Sequence, residues 1–156
     1  MMKQYLIGLF EFNHRANKKI LETITLLPEK NEPLRLISHM IICQHKWLNR
    51  ITKEVPDSSL VWTGPVYALE ECNRLWDFHT GKWIAFLRDL PESQLCDDIQ
   101  YRSSDGGTFS STIQDIALQL NYHAIHHRGQ IMTIIRSQGI APPVVDFIFQ
   151  NRNHLS

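Results

Sequence analysis

The sequence predicts an all-α fold, a four-helix bundle with a short hairpin-like excursion between helices three and four. Three observations carry this. Four long stretches place apolar residues at helical spacing, Pro or Gly punctuates their ends, and one Asp-Gly-Gly turn separates two short β-prone segments.

The first helix is expected from Lys3 to Leu26, with Leu6, Phe10, Ile20, Leu21 and Ile24 on one face, ending before Pro28. The second begins near Pro33, a favourable first-turn residue, and continues to the Pro56 loop. Its apolar stripe is Leu36, Met40, Cys43, Trp47 and Ile51. The third spans Val66 to Leu90, closed by Pro91, with Leu69, Cys72, Trp76, Trp83 and Leu87 on one face. A small hairpin is expected around residues 98–109, where "SSDGGT" supplies the turn. The fourth helix runs from Ser111 to Ser137, stopped by Gly139 and Pro142. The apolar tail "PPVVDFIFQ" is suited to dock on the bundle or on a second subunit.

A chain of 156 residues fits one domain, 1–156, with room for a hydrophobic core. Sixteen basic residues balance sixteen acidic ones, and no basic run appears, which argues against direct nucleic-acid binding. Three cysteines without a CxxC spacing argue against a disulfide framework and for a reducing cytoplasm. Glu11, Asn13 and His14 interrupt the apolar N-terminal stretch, so no signal peptide is read, and no segment reaches the ~18 apolar residues of a membrane span.

The segment "QLNYHAIHHRGQI" gathers three of the eight histidines. At about 100° per residue, Ile113, Ile116, Leu120, Ile131 and Ile134 form a stripe roughly 60° wide. His123 and His127 fall within it or at its margin, about 40° apart, with Gln130 at its edge. His126 points about 100° away, toward the flank or solvent. Two inward imidazoles at i and i+4 can converge on one ion, and burying them without partners is costly. The competing reading is a pair of core histidines bonded to each other, to water or to backbone. His39 lies beside the apolar stripe of the second helix, whereas His45 faces nearly the opposite way and reads as a surface residue. A third inward histidine from another helix completes a three-ligand set with room for an incoming group. Cys43 is a further candidate ligand, with a packing role preferred. Asn13 and Asn17 share the inward face of the first helix and read as bridges to another helix. His14 and His79 lie at the edges of their faces and read as partly exposed.

Four motifs then resemble a known family, the DinB-like (damage-inducible) superfamily of metal-binding four-helix bundles. They are "FNHRAN" in the first helix, "ISHMIICQHKWLNRI" in the second, "NYHAIHHRGQI" in the fourth and "IIRSQGIAPPVVD" after it. The resemblance covers nearly the full chain. It implies a metal triad of His39, His123 and His127, a divalent ion such as zinc or nickel, and a homodimer. Some relatives are transferases that use a low-molecular-weight thiol, so the resemblance implies a metal-dependent transferase or hydrolase acting on a small molecule. The alternative is a non-catalytic metal-binding or structural protein, with a DNA-damage role by family name only. Where the family carries an acidic residue, five positions after His39, this chain has Gln44. Gly129, inside the helix, costs ~1 kcal/mol relative to Ala, and close approach of another backbone is the expected compensation.

Overall fold

A computed structural model describes residues 1–150 and 152; Asn151 and the end of the expected 1–156 domain, residues 153–156, lie outside the described residues. The chain is mostly helical. Four long helices form it: α1 (Met2–Ile24), α2 (Asn31–Thr52), α3 (Leu69–Asp89) and α4 (Ile113–Ser137). A two-stranded antiparallel sheet of β1 (Asp98–Arg102) and β2 (Thr108–Thr112) precedes α4, and a short α5 (Phe147–Gln150) follows it.

The helix order follows from named contacts. The N-terminal ammonium meets Glu92, just beyond α3, so α1 and α3 run antiparallel. Asn13 pairs with Asn121 and Asn17 with Arg128, so α1 and α4 run parallel. Ser38 lies against Cys72 and Gln44 against Thr80, so α2 and α3 also run parallel. Each of α1 and α2 packs on both α3 and α4. Parallel neighbours require the chain to travel back along the bundle, and residues 53–68 make that return. This link lies over the flank of α2, where it reaches the histidines.

Element boundaries moved for local reasons. The third helix begins at Leu69 rather than Val66, because Tyr67 N donates to Ser38 Oγ at 2.9 Å and Ala68 is extended. The hairpin extends to Thr112, whose hydroxyl then caps α4 by accepting from Asp115 N at 3.2 Å. That cap places the start of α4 at Ile113.

The core has two large apolar clusters, one toward each end, and a small third one around Phe12 and Ala16. Phe10 stacks on Trp83 at 5.2 Å in one, and Trp83 Nε1 donates to the Gln44 carbonyl at 2.9 Å. Trp76 and Ile20 are fully enclosed in the other. Asn13, Asn17, Asn121 and Arg128 are buried in the bundle and link α1 to α4. The tail docks on this chain through Val145, packed with Phe12 and Ala16, and through Phe147, edge-on to Phe12 at 5.0 Å.

Candidate metal centre

α2 and α4 are adjacent, and their shared flank brings His39, His123 and His127 into one cluster. One nitrogen from each ring lies within 4.8 Å of the others. His39 Nε2 is 3.2 Å from His123 Nε2, and His127 Nε2 is 2.9 Å from the same atom. All three side chains are half-buried.

The opposite ring nitrogens fix the proton count. His39 Nδ1 faces the Trp62 carbonyl at 3.1 Å, and a carbonyl can only accept, so Nδ1 carries the hydrogen. His127 Nδ1 faces Gln130 Oε1 at 2.6 Å and donates to it. In the neutral rings, both Nε2 atoms therefore present lone pairs toward His123 Nε2. His123 can offer one hydrogen to one of them. The other lone pair then faces a nitrogen whose only hydrogen is already used and stays unpartnered, which an electrophile at the centre would relieve.

A metal ion meets that demand. Two imidazole nitrogens each about 2.0–2.1 Å from zinc, at angles of roughly 90–109°, lie about 2.8–3.4 Å apart. The observed 3.2 and 2.9 Å separations match, and all three nitrogens lie within 4.8 Å of one another. The Trp62 carbonyl and Gln130 amide hold the His39 and His127 rings in one tautomer, as outer partners do at metal sites. The electrostatics favour the neutral form of His123 and His127, the form a metal ligand needs. Burial, then the neighbouring His127, His39 and His126, push His123 down to about 4. Burial also lowers His127, opposed by its bond to Gln130.

Cys43 Sγ lies 3.6 Å from His39 Nε2 but falls outside the clustered set, and burial pushes its thiol up to about 12. It packs against the His39 ring. A cavity of about 200 Å³ opens beside the cluster, lined by His39, Cys43, Trp47, Trp62, Gln119 and His123, with Leu120.

The other sequence expectations fared variously. His126 is exposed, as expected. Asn13 and Asn17 are bridges: Arg128 Nη1 donates to Asn13 Oδ1 at 2.8 Å and to Asn17 Oδ1 at 3.2 Å. His14 is half-buried and contacts Asp77 Oδ1 at 2.8 Å. His79, expected to be partly exposed, is instead buried, because α2 packs beside α3 and His45 covers it at 4.8 Å between ring centres. His45 is correspondingly half-buried rather than a free surface residue. Gln44 is buried and accepts from Thr80 Oγ1 at 3.3 Å, a neutral bond between helices in place of a carboxylate. Gly129 is exposed, and a Cβ there would meet nothing within 4 Å, so among the described residues no backbone outside its own helix approaches it.

Arg128 was read in the sequence only as part of a motif, yet it is 4 % exposed and lies over Phe12 at 5.3 Å. Its signal was the set of inward amides Asn13, Asn17 and Asn121, which can solvate a buried cation. Trp62 had no signal, since its backbone carbonyl acts through the path of the link.

Fold and site together define a helical bundle whose flank carries a histidine triad able to hold one divalent ion. The model of the DinB family matches residues 1–154, and the chain belongs to that family. A curated relative, Protein DinB of Bacillus subtilis (strain 168), is 20% identical over 162 residues, covering 94% of this chain and 93% of that protein.

Proposed function

We propose that this chain is a divalent-metal-dependent enzyme of transferase or hydrolase type, with His39, His123 and His127 as ligands of zinc or nickel. The observation that supports it is the convergence of three Nε2 atoms, two of them obliged to present lone pairs, beside a cavity of about 200 Å³. When bound, such an ion acts as a Lewis acid that lowers the pKa of a coordinated water or thiol.

The protein's own groups orient and shield. Trp62 and Gln130 hold the ligand rings by their Nδ1 atoms, so those rings do not shuttle protons. Trp47, Trp62 and Leu120 give the cavity apolar walls, and Gln119 adds an amide that can orient a small substrate. No carboxylate lines this cavity among the described residues, so proton removal falls to solvent or to the incoming pair itself. A low-molecular-weight thiol and a small electrophile are the substrates this arrangement suits. The neutral chain argues against nucleic acid as a direct partner. No described helix is long and apolar enough to cross a membrane.

A homodimer through the outer face of α4 is part of the proposal. Tyr122 and Ile125 are 64% and 47% exposed there, one helical row from the open Gly129. Light scattering should report a mass near twice 18.2 kDa, and Ile125→Glu should return the monomer. A monomeric native chain would refute this part.

Chelation tests the catalytic reading. Loss of thiol–electrophile turnover with unchanged far-UV circular dichroism supports a catalytic ion. Melting of the bundle on chelation, with no turnover in the loaded protein, assigns the ion a structural role.

A further inference from the structure

A large cavity lies at the far end of α2, away from the histidine cluster. It is an open cleft of about 1140 Å³ between α2, the 53–68 link and β1. His39 and Arg50 are eleven residues apart on one helix, or about 16 Å along its axis. The two places are distinct, though Trp62 contributes to the walls of both.

Arg50 is the unusual group in this cavity. Its side chain is 4% exposed, and its guanidinium lies 4.7–4.8 Å from the rings of Trp47, Trp62 and Tyr101. Nε and Nη2 donate to the Asp57 carboxylate at 3.2 and 3.3 Å, and Nη2 also donates to the Arg102 carbonyl at 2.7 Å. Nη1 has no partner among the described residues. Among the described residues Trp76 Nε1 is the only fully enclosed side-chain nitrogen or oxygen that lacks one, so Nη1 keeps accessible surface, and Arg50 borders the cavity. A buried arginine with one arm unpaired is an anion receptor already oriented by its neighbours.

The surrounding charge points the same way. Asp57 serves two buried cations, since Lys46 Nζ also lies 3.4 Å from it. Lys46 spends its other contacts on the Asp57 and Leu60 carbonyls. Lys53 and Arg102 add two exposed cations to the wall. The remaining acid, Glu54, is paired with Lys82 Nζ at 3.0 Å. Four cations thus face one shared carboxylate, while Trp62, Tyr101, Val55 and Val61 supply apolar wall.

We propose that this cavity binds a small organic anion with an apolar body, its carboxylate or phosphate monoester held by Arg50 Nη1 with help from Lys53 and Arg102. The proposal does not rest on the metal reading. The three rings fix the guanidinium plane, and Trp62 and Tyr101, which line the cavity, would contact the ligand's apolar part.

Calorimetry with 1-naphthylacetate, 1-naphthyl phosphate and the neutral 1-naphthylacetamide tests it, on both zinc-loaded and chelator-treated protein. At least one anion should bind tenfold or more tightly than the amide in both preparations, and the tighter of the two anions identifies the head group. Arg50→Gln should abolish that preference. Because this change also breaks the Asp57 contacts, the Lys53→Gln/Arg102→Gln double variant provides a surface control, and it should narrow the preference several-fold while the circular dichroism stays unchanged. Equal binding of the amide, no binding of either anion, or a preference untouched in the double variant would overturn the proposal. Anion binding confined to zinc-loaded protein would also overturn it, by placing the anion on the ion.

Discussion

Replacing Gln130 by alanine removes the acceptor 2.6 Å from His127 Nδ1 and leaves every ligand nitrogen in place. The ring then loses the bond that fixes its tautomer and direction, and loss of such an outer partner typically weakens metal affinity about 10–100-fold. That is about 1.4–2.7 kcal/mol. With free zinc at about a thousand times the native dissociation constant, the ion stabilises the native fold by about 4.1 kcal/mol. The variant should retain about 1.4–2.7 kcal/mol of that at the same zinc concentration. For a chain of this size about 1 kcal/mol moves the melting point by 2–4 °C, so the zinc-induced rise should shrink by about 3–11 °C. Differential scanning calorimetry with and without zinc, alongside a competing chromophoric chelator, reads both quantities. His127→Ala should lose the ion, whereas His126→Ala and His45→Ala should keep it. An unchanged zinc response in Gln130→Ala would refute the tautomer argument, and a fully loaded His127→Ala would refute the site.

Arg128→Ala should destabilise the bundle by roughly 3 kcal/mol or more, since it strands the Asn13 and Asn17 carbonyls in the core, and urea unfolding measures this. Burial, then the charges of His45, Lys82 and Arg74, push His79 down to about 4. The unfolded chain binds this proton more readily than the native one, so the contribution of His79 to stability is intact above about pH 6.5 and is lost as pH falls toward 4. Solvent screening at the open side of the His45 pair limits that loss to about 1–2 kcal/mol, and His79→Gln should flatten this part of the metal-free stability profile. Gly129→Ala should stabilise the isolated chain by up to ~1 kcal/mol, because its Cβ meets nothing within 4 Å; thermal melts at concentrations low enough to dissociate any dimer check it.

The helices and the triad were legible because they depend on period and side-chain chemistry, which local sequence carries. Apolar spacing put Leu6, Phe10, Trp76, Trp83 and Ile131 inside, and all five are buried. The same arithmetic selected His39, His123 and His127 over His45 and His126, and the structure brings those three together. The wheel was offset on α4. Ile134 is only half-buried, while Asn121, Ala124, Arg128 and Ile135 form the inner line, which leaves His123 and His127 on its flank toward α2. Hydropathy could not locate that line, because its centre holds an arginine and an asparagine whose burial becomes tolerable only through amides from α1.

The sequence by itself determined which segments are helical, which histidines share a face, and that acidic and basic residues balance. Tertiary structure alone decided that α2 and α3 run parallel, and therefore that residues 53–68 return along the bundle and bring the Trp62 carbonyl to His39. It alone enclosed Arg50 among three aromatic rings and covered His79 with His45. The physical reason is range. Helical periodicity is written in neighbours three and four residues apart, whereas a backbone carbonyl, a buried guanidinium or a ring pair acquires its meaning from segments tens of residues away.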